Sequence, residues 1–147
     1  MIIRDLHISD IERLSELYYQ FWNEKSNTNK MKDKFVQLCN NDAYIFLCAI
    51  ENEKLIGSVM GIICEELYGE CKPFLLVEDM IVDSNYRKKG IGKALFAELE
   101  QSAIARGCTQ IILVTEAERK DACAFYESVG FHPTANKGYK KKIPTNL

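Results

Sequence analysis

The sequence predicts an α/β (α+β) domain, and three observations lead to that class. The chain has 147 residues, enough for one domain to bury a core without disulfides or metals. Runs of β-branched and aromatic residues alternate with segments whose apolar residues recur at helical spacing. A turn containing two glycines joins a strong predicted strand to a long predicted helix. Without repeats, linkers or low-complexity tracts, residues 1–147 are predicted to form a single domain.

The first half of the chain predicts a strand, two helices and a hairpin. Residues 2–6 form an apolar strand, and Ser9 with Glu12 predicts a capping box at the start of a helix. The two helices follow from apolar residues on one face, namely Ile11, Leu14, Leu17, Tyr18, Phe21 and Trp22, then Met31, Phe35, Leu38 and Cys39. Runs 43–50 and 55–64 flank a polar turn and predict an antiparallel hairpin. Gly57 and Gly61 indicate a bulge or a close approach of another element.

The second half predicts alternating strands and helices. Residues 74–82 form an apolar strand that contains two carboxylates, Glu78 and Asp79. After a turn at 83–86, a long amphipathic helix begins near Ile91 and ends at Gly107. Strand 110–114, helix 121–129 and a final strand at 139–143 complete the pattern.

Composition excludes several classes of protein. The net charge of −2 gives no overall attraction to nucleic acid, although basic residues cluster at 87–93 and 137–142. No stretch approaches the roughly 18 to 20 apolar residues that span a bilayer, and the N-terminus lacks the apolar run of a signal peptide. We therefore expect a cytoplasmic protein that binds neither membrane nor nucleic acid.

The six cysteines favour free thiols over a disulfide framework or a zinc site. The closest pair, Cys64 and Cys71, is seven residues apart, and only two histidines could join them as metal ligands. We expect reduced thiols and no metal.

The glycine turn predicts an anion site. Amides at the start of a helix carry partial positive charge, and glycines let a phosphate approach them. The residues concerned are Arg87, Lys88, Lys89, Gly90, Ile91, Gly92 and Lys93. A nucleotide P-loop would need glycine at Arg87, and a dinucleotide fingerprint would need glycine at Leu95, so neither motif fits.

Two motifs together resemble the GNAT superfamily of N-acetyltransferases. Residues 87–92 are similar to its Arg/Gln-x-x-Gly-x-Gly/Ala signature and follow a strand as expected. Residues 122–131, Ala-Cys-Ala-Phe-Tyr-Glu-Ser-Val-Gly-Phe, resemble its second signature, some thirty residues later. Residues 1–75 match the superfamily only in the order of elements.

The resemblance implies a fold and a donor. It implies a mixed, mostly antiparallel sheet of about six to seven strands flanked by about four helices, with parallel strands 74–82 and 110–115 splayed apart. Acetyl-CoA is the implied cosubstrate, with its pantetheine arm along Met80, Ile81 and Val82 and its pyrophosphate on the amides of residues 88–93. Relatives often have asparagine where this chain has Arg119, so that contact is either lost or replaced by a charged one.

The resemblance also implies an acid and a base for direct transfer to an amine. Tyr126 takes the position of the usual general acid, with packing beside Phe125 as the alternative. Glu78 is the predicted base, by analogy with relatives that use a glutamate on this strand. Asp79, Glu116 and a water chain stay open, because neighbouring side chains on a strand face opposite sides unless a bulge rotates one.

The acceptor is the least determined part. Residues 18–40 and 64–73 occupy the segments that set specificity in the superfamily, and their glutamates suit a cationic amine (Glu24, Glu65, Glu66 and Glu70). The leading hypothesis is an N-acetyltransferase acting on a small-molecule or peptide amine, and the resemblance makes a homodimer possible. The alternative is a non-catalytic coenzyme A-binding sensor or accessory subunit with the same fold.

Overall fold

The computed structural model describes residues 1–145, as a larger unit of residues 1–113 and a smaller unit that begins at residue 114. The larger unit contains, in order, β1 (Ile2–Asp5), α1 (Ile11–Trp22), α2 (Thr28–Leu38), β2 (Tyr44–Glu51), β3 (Lys54–Cys64), β4 (Phe74–Val82), α3 (Ile91–Ala105) and β5 (Ile111–Ile112). The smaller unit contains α4 (Lys120–Ser128). Short 3-10 turns at Ile8–Asp10 and Ser84–Tyr86 precede α1 and α3.

One mixed sheet organises the larger unit. Its strand order is β1-β2-β3-β4-β5, with antiparallel pairs up to β4 and a parallel pair between β4 and β5. The α+β class is confirmed, and within residues 1–145 the sheet has five strands instead of the six or seven expected.

Two strand predictions differ from the structure. The strand expected at 110–114 shortens to Ile111–Ile112, and residues 139–143 form no strand. The second prediction was wrong because Tyr139 and Ile143 lie among lysines, and they are 83% and 84% exposed. A strand segment with no apolar face to bury gains too little to hold it on a sheet.

The start of α1 uses a different cap from the predicted one. The capping box of Ser9 with Glu12 was wrong, since α1 begins at Ile11 with Asp10 as its N-cap. The Asp10 carboxylate accepts a hydrogen bond from the His7 amide at 2.8 Å and forms an ion pair with Arg4 at 2.8 Å. The carboxylate of Asp10 therefore closes the 3-10 turn that precedes α1.

The β2–β3 hairpin forms as predicted, and its turn explains the register. Asn52 and Glu53 both have positive φ, at 49° and 62°, which matches the right-handed twist of the flanking strands in a two-residue turn.

The two faces of the sheet carry different helices. Cys48 packs with the buried residues of α1, and Ser58 opposite it lies on that same face. Gly57 and Gly61 face α3, because a Cβ on Gly61 would lie 2.7 Å from Leu99. The predicted close approach of another element to these glycines is therefore confirmed.

Within residues 1–145, no helix is long and apolar enough to cross a membrane.

Candidate active site

The loop that leads into α3 presents a row of backbone amides without protein partners. Lys88 and Gly90 take the left-handed conformation, with φ of 61° and 83°, and Gly90 is the N-cap of α3. Ala94 donates the first bond of the helix, to the carbonyl oxygen of Gly90 at 3.0 Å. Within residues 1–145, no group accepts a hydrogen bond from the amides of 88–93. Such amides at the N-terminus of a 15-residue helix attract anions, so the loop fits a pyrophosphate.

Basic side chains surround this loop, and two of them are held against it. Arg87 Nε donates to the carbonyl oxygen of Val82 at 3.3 Å. Lys89 Nζ lies 5.3 Å from the centre of the Tyr86 ring, within cation–π range. Lys88 and Lys93 are exposed, so they can approach an anion bound to the amides.

β4 continues beyond its parallel neighbour. The last pair of the two strands joins Leu76 to Ile112, whereas β4 extends to Val82. Met80, Ile81 and Val82, the residues expected to pair with pantetheine, lie in this extension. Beyond a shared ladder the strand presents its backbone edge, which an extended chain can pair with.

A β-bulge interrupts β4 at Asp79. The ladder to β3 pairs Ile81 with Ser58 and Glu78 with Met60, so two residues of β4 oppose Val59. Asp79 has a φ of 53°, in the left-handed region. Because partners across a ladder share a face, Glu78 and Ile81 both lie on the face covered by α1. A bulge therefore interrupts the alternation of side chains along β4 at Glu78 and Asp79.

Asp79 is half-buried beside α1 and has no protein partner. Within residues 1–145, nothing forms an ion pair or hydrogen bond with its carboxylate. Burial raises the pKa of this carboxyl group. Burial also raises the pKa of Tyr18 on α1, and the negative charge of Asp79 raises it further. Asp79 and Tyr18 are therefore close enough to interact electrostatically.

Glu78, the predicted base, is exposed. Its neighbour Asp79 is the carboxylate that β4 partly buries, and burying an unpaired carboxylate is costly. Glu116, the second candidate, is exposed at the start of the segment that leads to α4, and its carbonyl oxygen accepts from the Arg119 amide at 3.1 Å. The assignment of the base to Glu78 stays a prediction.

In the smaller unit, α4 carries the second motif. The half-buried Tyr126 ring makes edge contacts with Phe125 and Phe131, at centroid distances of 5.3 and 5.8 Å. The Arg119 carbonyl oxygen accepts from the Cys123 amide at 3.0 Å, which places Arg119 at the N-cap of α4. The roles of Tyr126 and Arg119 stay predictions.

Thr115 is a residue that sequence reasoning missed. Its hydroxyl oxygen is buried and has no hydrogen-bond partner within residues 1–145. Buried polar groups are nearly always paired, so an orphaned hydroxyl is available to a ligand. Nothing in the sequence distinguished this threonine from one that is satisfied by its neighbours.

A second missed feature ties α1 to the turn before the phosphate loop. Arg13 forms an ion pair with the buried Asp83 and donates to the carbonyl oxygen of Leu55 at 3.1 Å. Gln20, two turns further along α1, accepts from the Ser84 amide at 3.0 Å. Burial raises the pKa of Asp83, but the Asn85 amide and the charge of Arg13 outweigh it and hold that pKa below the usual value. We call these contacts of Arg13 and Gln20 the α1 clamp.

The two histidines are exposed and take part in local hydrogen bonds. His7 supplies its amide to Asp10, and His132 Nδ1 accepts from the amides of Thr134 and Ala135 at 3.1 and 2.9 Å. Within residues 1–145, no cluster of three or more His, Cys, Asp or Glu side chains could hold a metal ion.

A groove of about 820 Å³ lies elsewhere in the larger unit. Residues of β1, α2, β2 and the end of α3 line it. Phe35, Val36, Cys39 and Asn40 of the segment 18–40 are among them, whereas none of the predicted catalytic or cofactor-binding residues is. Its size alone assigns it no chemistry, because the phosphate loop and the bulge both lie outside it.

Comparisons with known proteins bear on the family and the fold of the chain. The model of the acetyltransferase (GNAT) family matches residues 11–131. Glucosamine 6-phosphate N-acetyltransferase 1 of Dictyostelium discoideum is 28% identical over 145 residues, covering 95% of this chain and 88% of that protein. Human N-acetylaspartate synthetase is 36% identical over 86 residues, covering 58% of this chain and 28% of that protein.

A solved structure shows the same fold. Glucosamine-6-phosphate N-acetyltransferase from Arabidopsis thaliana superposes with a TM-score of 0.80 at 23% identity, covering 99% of this chain and 98% of that one. The chain spans less than two thirds of the length of several curated relatives that it matches, including the 28% of human N-acetylaspartate synthetase. The agreement therefore extends to family and fold.

Proposed function

Because the chain belongs to the acetyltransferase (GNAT) family, we propose that it moves the acetyl group of acetyl-CoA directly onto a primary amine of a small molecule or peptide. The observation that carries this proposal is the row of unpartnered amides at residues 88–93. Acetyl-CoA supplies an acetyl group already activated as a thioester. The protein has to hold this donor, deprotonate the amine and assist the departing thiolate.

The donor is held by backbone more than by side chains. The amides of 88–93 and the positive end of the α3 dipole bind the pyrophosphate, and the exposed Lys88 and Lys93 add charge. The edge of β4 at Met80–Val82 pairs with the pantetheine amides.

The amine needs a base, because a primary ammonium has a reference pKa of about 10.4. Asp79 fits this task better than the exposed Glu78, since its carboxylate is half-buried, unpartnered and raised in pKa by burial. A base with a raised pKa holds a proton more readily at neutral pH. Glu78 lies at the same bulge and can pass the proton on to water.

Tyr126 is proposed as the general acid. Its position in the second motif supports this role, and its ring is fixed between Phe125 and Phe131, which limits the motion of the hydroxyl. A phenol, with a reference pKa of about 10, can donate a proton to the departing thiolate.

Thermal unfolding with acetyl-CoA and with CoA tests donor binding. Saturation at about 100 times Kd adds about 2.7 kcal/mol, which shifts the melting temperature by about 5 °C or more. Gly90→Ala should remove most of the shift, because alanine is strained at a φ of 83° and the amides then move. Gly69→Ala is the matched control, since Gly69 also has positive φ, at 58°, and open space around it. Equal shifts in both variants would contradict the site.

Release of free CoA with an amine panel tests catalysis. The panel contains polyamines, aminoglycosides, amino acids, peptides and simple arylalkylamines. Turnover that falls about a hundredfold or more in Asp79→Asn or Tyr126→Phe supports the assigned roles. A chain that binds acetyl-CoA normally but turns over no amine would instead support the coenzyme A-binding sensor.

A further inference from the structure

The acceptor side of the proposed reaction centres on Asp79. This half-buried carboxylate lies at a strained position of β4 and has no cation from the described chain beside it. A carboxylate removed from water without a partner is costly, so a ligand ammonium would relieve that cost. The group that neutralises Asp79 is therefore to be sought in a ligand.

An aromatic surface on α1 adjoins this carboxylate. Tyr18 is the neighbour of Asp79, and Trp22 packs edge-on against Tyr18 at a centroid distance of 5.3 Å. Phe21 contacts the same indole at 4.7 Å, so Trp22 is held on two sides. The indole is nonetheless 48% exposed. We call Tyr18, Phe21 and Trp22 the α1 aromatic cluster.

The spacing of the two features limits the ligand. Tyr18 and Trp22 are one helical turn apart, about 5.4 Å along the axis. Asp79 interacts electrostatically with Tyr18, and the Trp22 ring lies 5.3 Å from the Tyr18 ring. A ligand with its ammonium at Asp79 therefore needs only a short linker for an apolar body to reach the indole. Residues 18–22 carry no lysine or arginine, and Lys32 of α2 is engaged by Glu12 at 2.7 Å. A phosphate group would find no cation on this part of α1.

From these observations we propose that the acceptor is a primary amine joined by a short linker to an aromatic or similarly bulky apolar body. The ammonium lies at Asp79, and the apolar body packs on the α1 aromatic cluster. This inference rests on the proposed function and names the substrate class of the same site. Sugar phosphates and linear polyamines are the competing acceptors.

The competing acceptors would need different side chains to bind them than the proposed class does. A sugar phosphate needs cations that residues 18–22 lack. A polyamine needs several carboxylates and gains nothing from an indole. The exposed Glu65 and Glu70 lie in the loop after β3, where Leu67 is also 95% exposed, so that loop presents an apolar side chain beside its negative charge.

Binding is tested first, without relying on turnover. Trp22 is the only tryptophan of the chain, so its fluorescence reports directly on this site. Titration with 2-phenylethylamine should change the emission and reach saturation, both in the wild type and in Tyr19→Ala. Asp79→Asn should abolish or greatly weaken the change. No saturable change in the wild type, or an equal one in Asp79→Asn, would overturn the proposal.

Kinetics then compare 2-phenylethylamine with n-propylamine, spermidine and glucosamine 6-phosphate. We expect the highest kcat/KM for 2-phenylethylamine. Trp22→Ala should lower this value about tenfold or more through KM while leaving the KM of acetyl-CoA unchanged. Tyr19→Ala is the matched control, because Tyr19 is 46% exposed on the same helix but belongs to no ring contact of the cluster.

The outcomes separate the two proposals. Faster turnover of glucosamine 6-phosphate or spermidine, or equal losses in Trp22→Ala and Tyr19→Ala, would refute the acceptor class while leaving the acetyltransferase intact. Saturable fluorescence without release of CoA from any amine would refute the reaction while supporting the amine site.

Discussion

Asp79 combines two unfavourable conditions in one residue. Its backbone is in the left-handed region within a strand, and its carboxylate is half-buried without a partner among residues 1–145. Strain of this kind costs of order 1–3 kcal/mol, although aspartate and asparagine tolerate the conformation better than most residues. Residues that combine strain with a displaced pKa are typical of functional sites. Asp79 thus costs the folded chain stability, and a ligand amine is the proposed partner of its carboxylate.

Asp79→Asn is expected to raise stability at pH 7 and to lower activity. Burial raises the pKa of Asp79, so its charged form is disfavoured in the folded chain at neutral pH. Asparagine removes that charge and keeps the tolerance of positive φ. We expect a higher melting temperature together with a loss of kcat of about a hundredfold or more. Thermal unfolding and CoA release measure the two effects.

Glu78→Gln provides the control for that prediction. Glu78 is exposed, so its replacement should change the free energy of unfolding by no more than about 1 kcal/mol. If Glu78→Gln lost the activity and Asp79→Asn kept it, the base would be Glu78, as the resemblance implies. A lower melting temperature of Asp79→Asn would contradict the cost assigned to its carboxylate.

At the scale of the element, different residues of α1 contact the turn before the phosphate loop and form the proposed acceptor surface. Arg13 and Gln20 hold the turn that precedes the phosphate loop, whereas Tyr18 and Trp22 face the proposed acceptor. One helix thereby connects the segment proposed to bind the donor with the surface proposed for the amine. The connection depends on the α1 clamp, since α1 otherwise meets the sheet through apolar contacts that specify position less sharply.

Arg13→Met tests the α1 clamp. The methionine fills space near Leu55 but leaves the Asp83 carboxylate, whose side chain is 2% exposed, without its counter-ion. Breaking a buried pair from one side costs about 3–5 kcal/mol, and the 20% exposure of the Arg13 side chain places this one at the lower end. Urea unfolding should show that loss. The double variant Arg13→Met with Asp83→Asn should recover part of it, and a loss below about 1 kcal/mol in the single variant would show that the clamp contributes little.

Elements determined by local sequence were predicted well. The hairpin of β2 and β3 and the end of α3 at Gly107 depend on turn chemistry and periodicity within a short window. The cap of α1 was assigned to the wrong pair, because Arg4 from β1 holds Asp10 and a 3-10 turn precedes the helix. The length of β5 depends on how far it pairs with β4, and no local sequence pattern predicts that extent.

The same division applies to the candidate site. Gly90 and the basic residues around it were found from the sequence, because the amide row is built by one contiguous loop. The bulge at Asp79 requires the register of β3 against β4, and the clamp joins residues 70 positions apart, Arg13 and Asp83. Such long-range geometry left no periodic or compositional signal, so the choice between Glu78 and Asp79 was open at the sequence level.

At the scale of the whole molecule, aspartates with opposite shifts shape the dependence of stability on pH. Hydrogen bonds and the charge of Arg4 lower the pKa of Asp10 despite burial, and Asn85 with Arg13 does the same for Asp83. Burial raises the pKa of Asp79. The ordinary pKa of all three carboxyl groups is 3.8. The raised pKa of Asp79 acts above this value, and the lowered pKa values of Asp10 and Asp83 act below it.

We expect stability to hold or rise as pH falls from 7 towards about 4, and to fall below that. Protonation of Asp79 favours the folded chain above pH 3.8, because its folded pKa lies above the unfolded value. The stability supplied by Asp10 and Asp83 is present above pH 3.8 and is lost as pH falls through their lower folded pKa values. Urea unfolding between pH 2.5 and 7, designed around those values, measures the profile. Asp79→Asn should remove the rise and Asp83→Asn should flatten the fall; a profile unchanged in both variants would show that other groups control it.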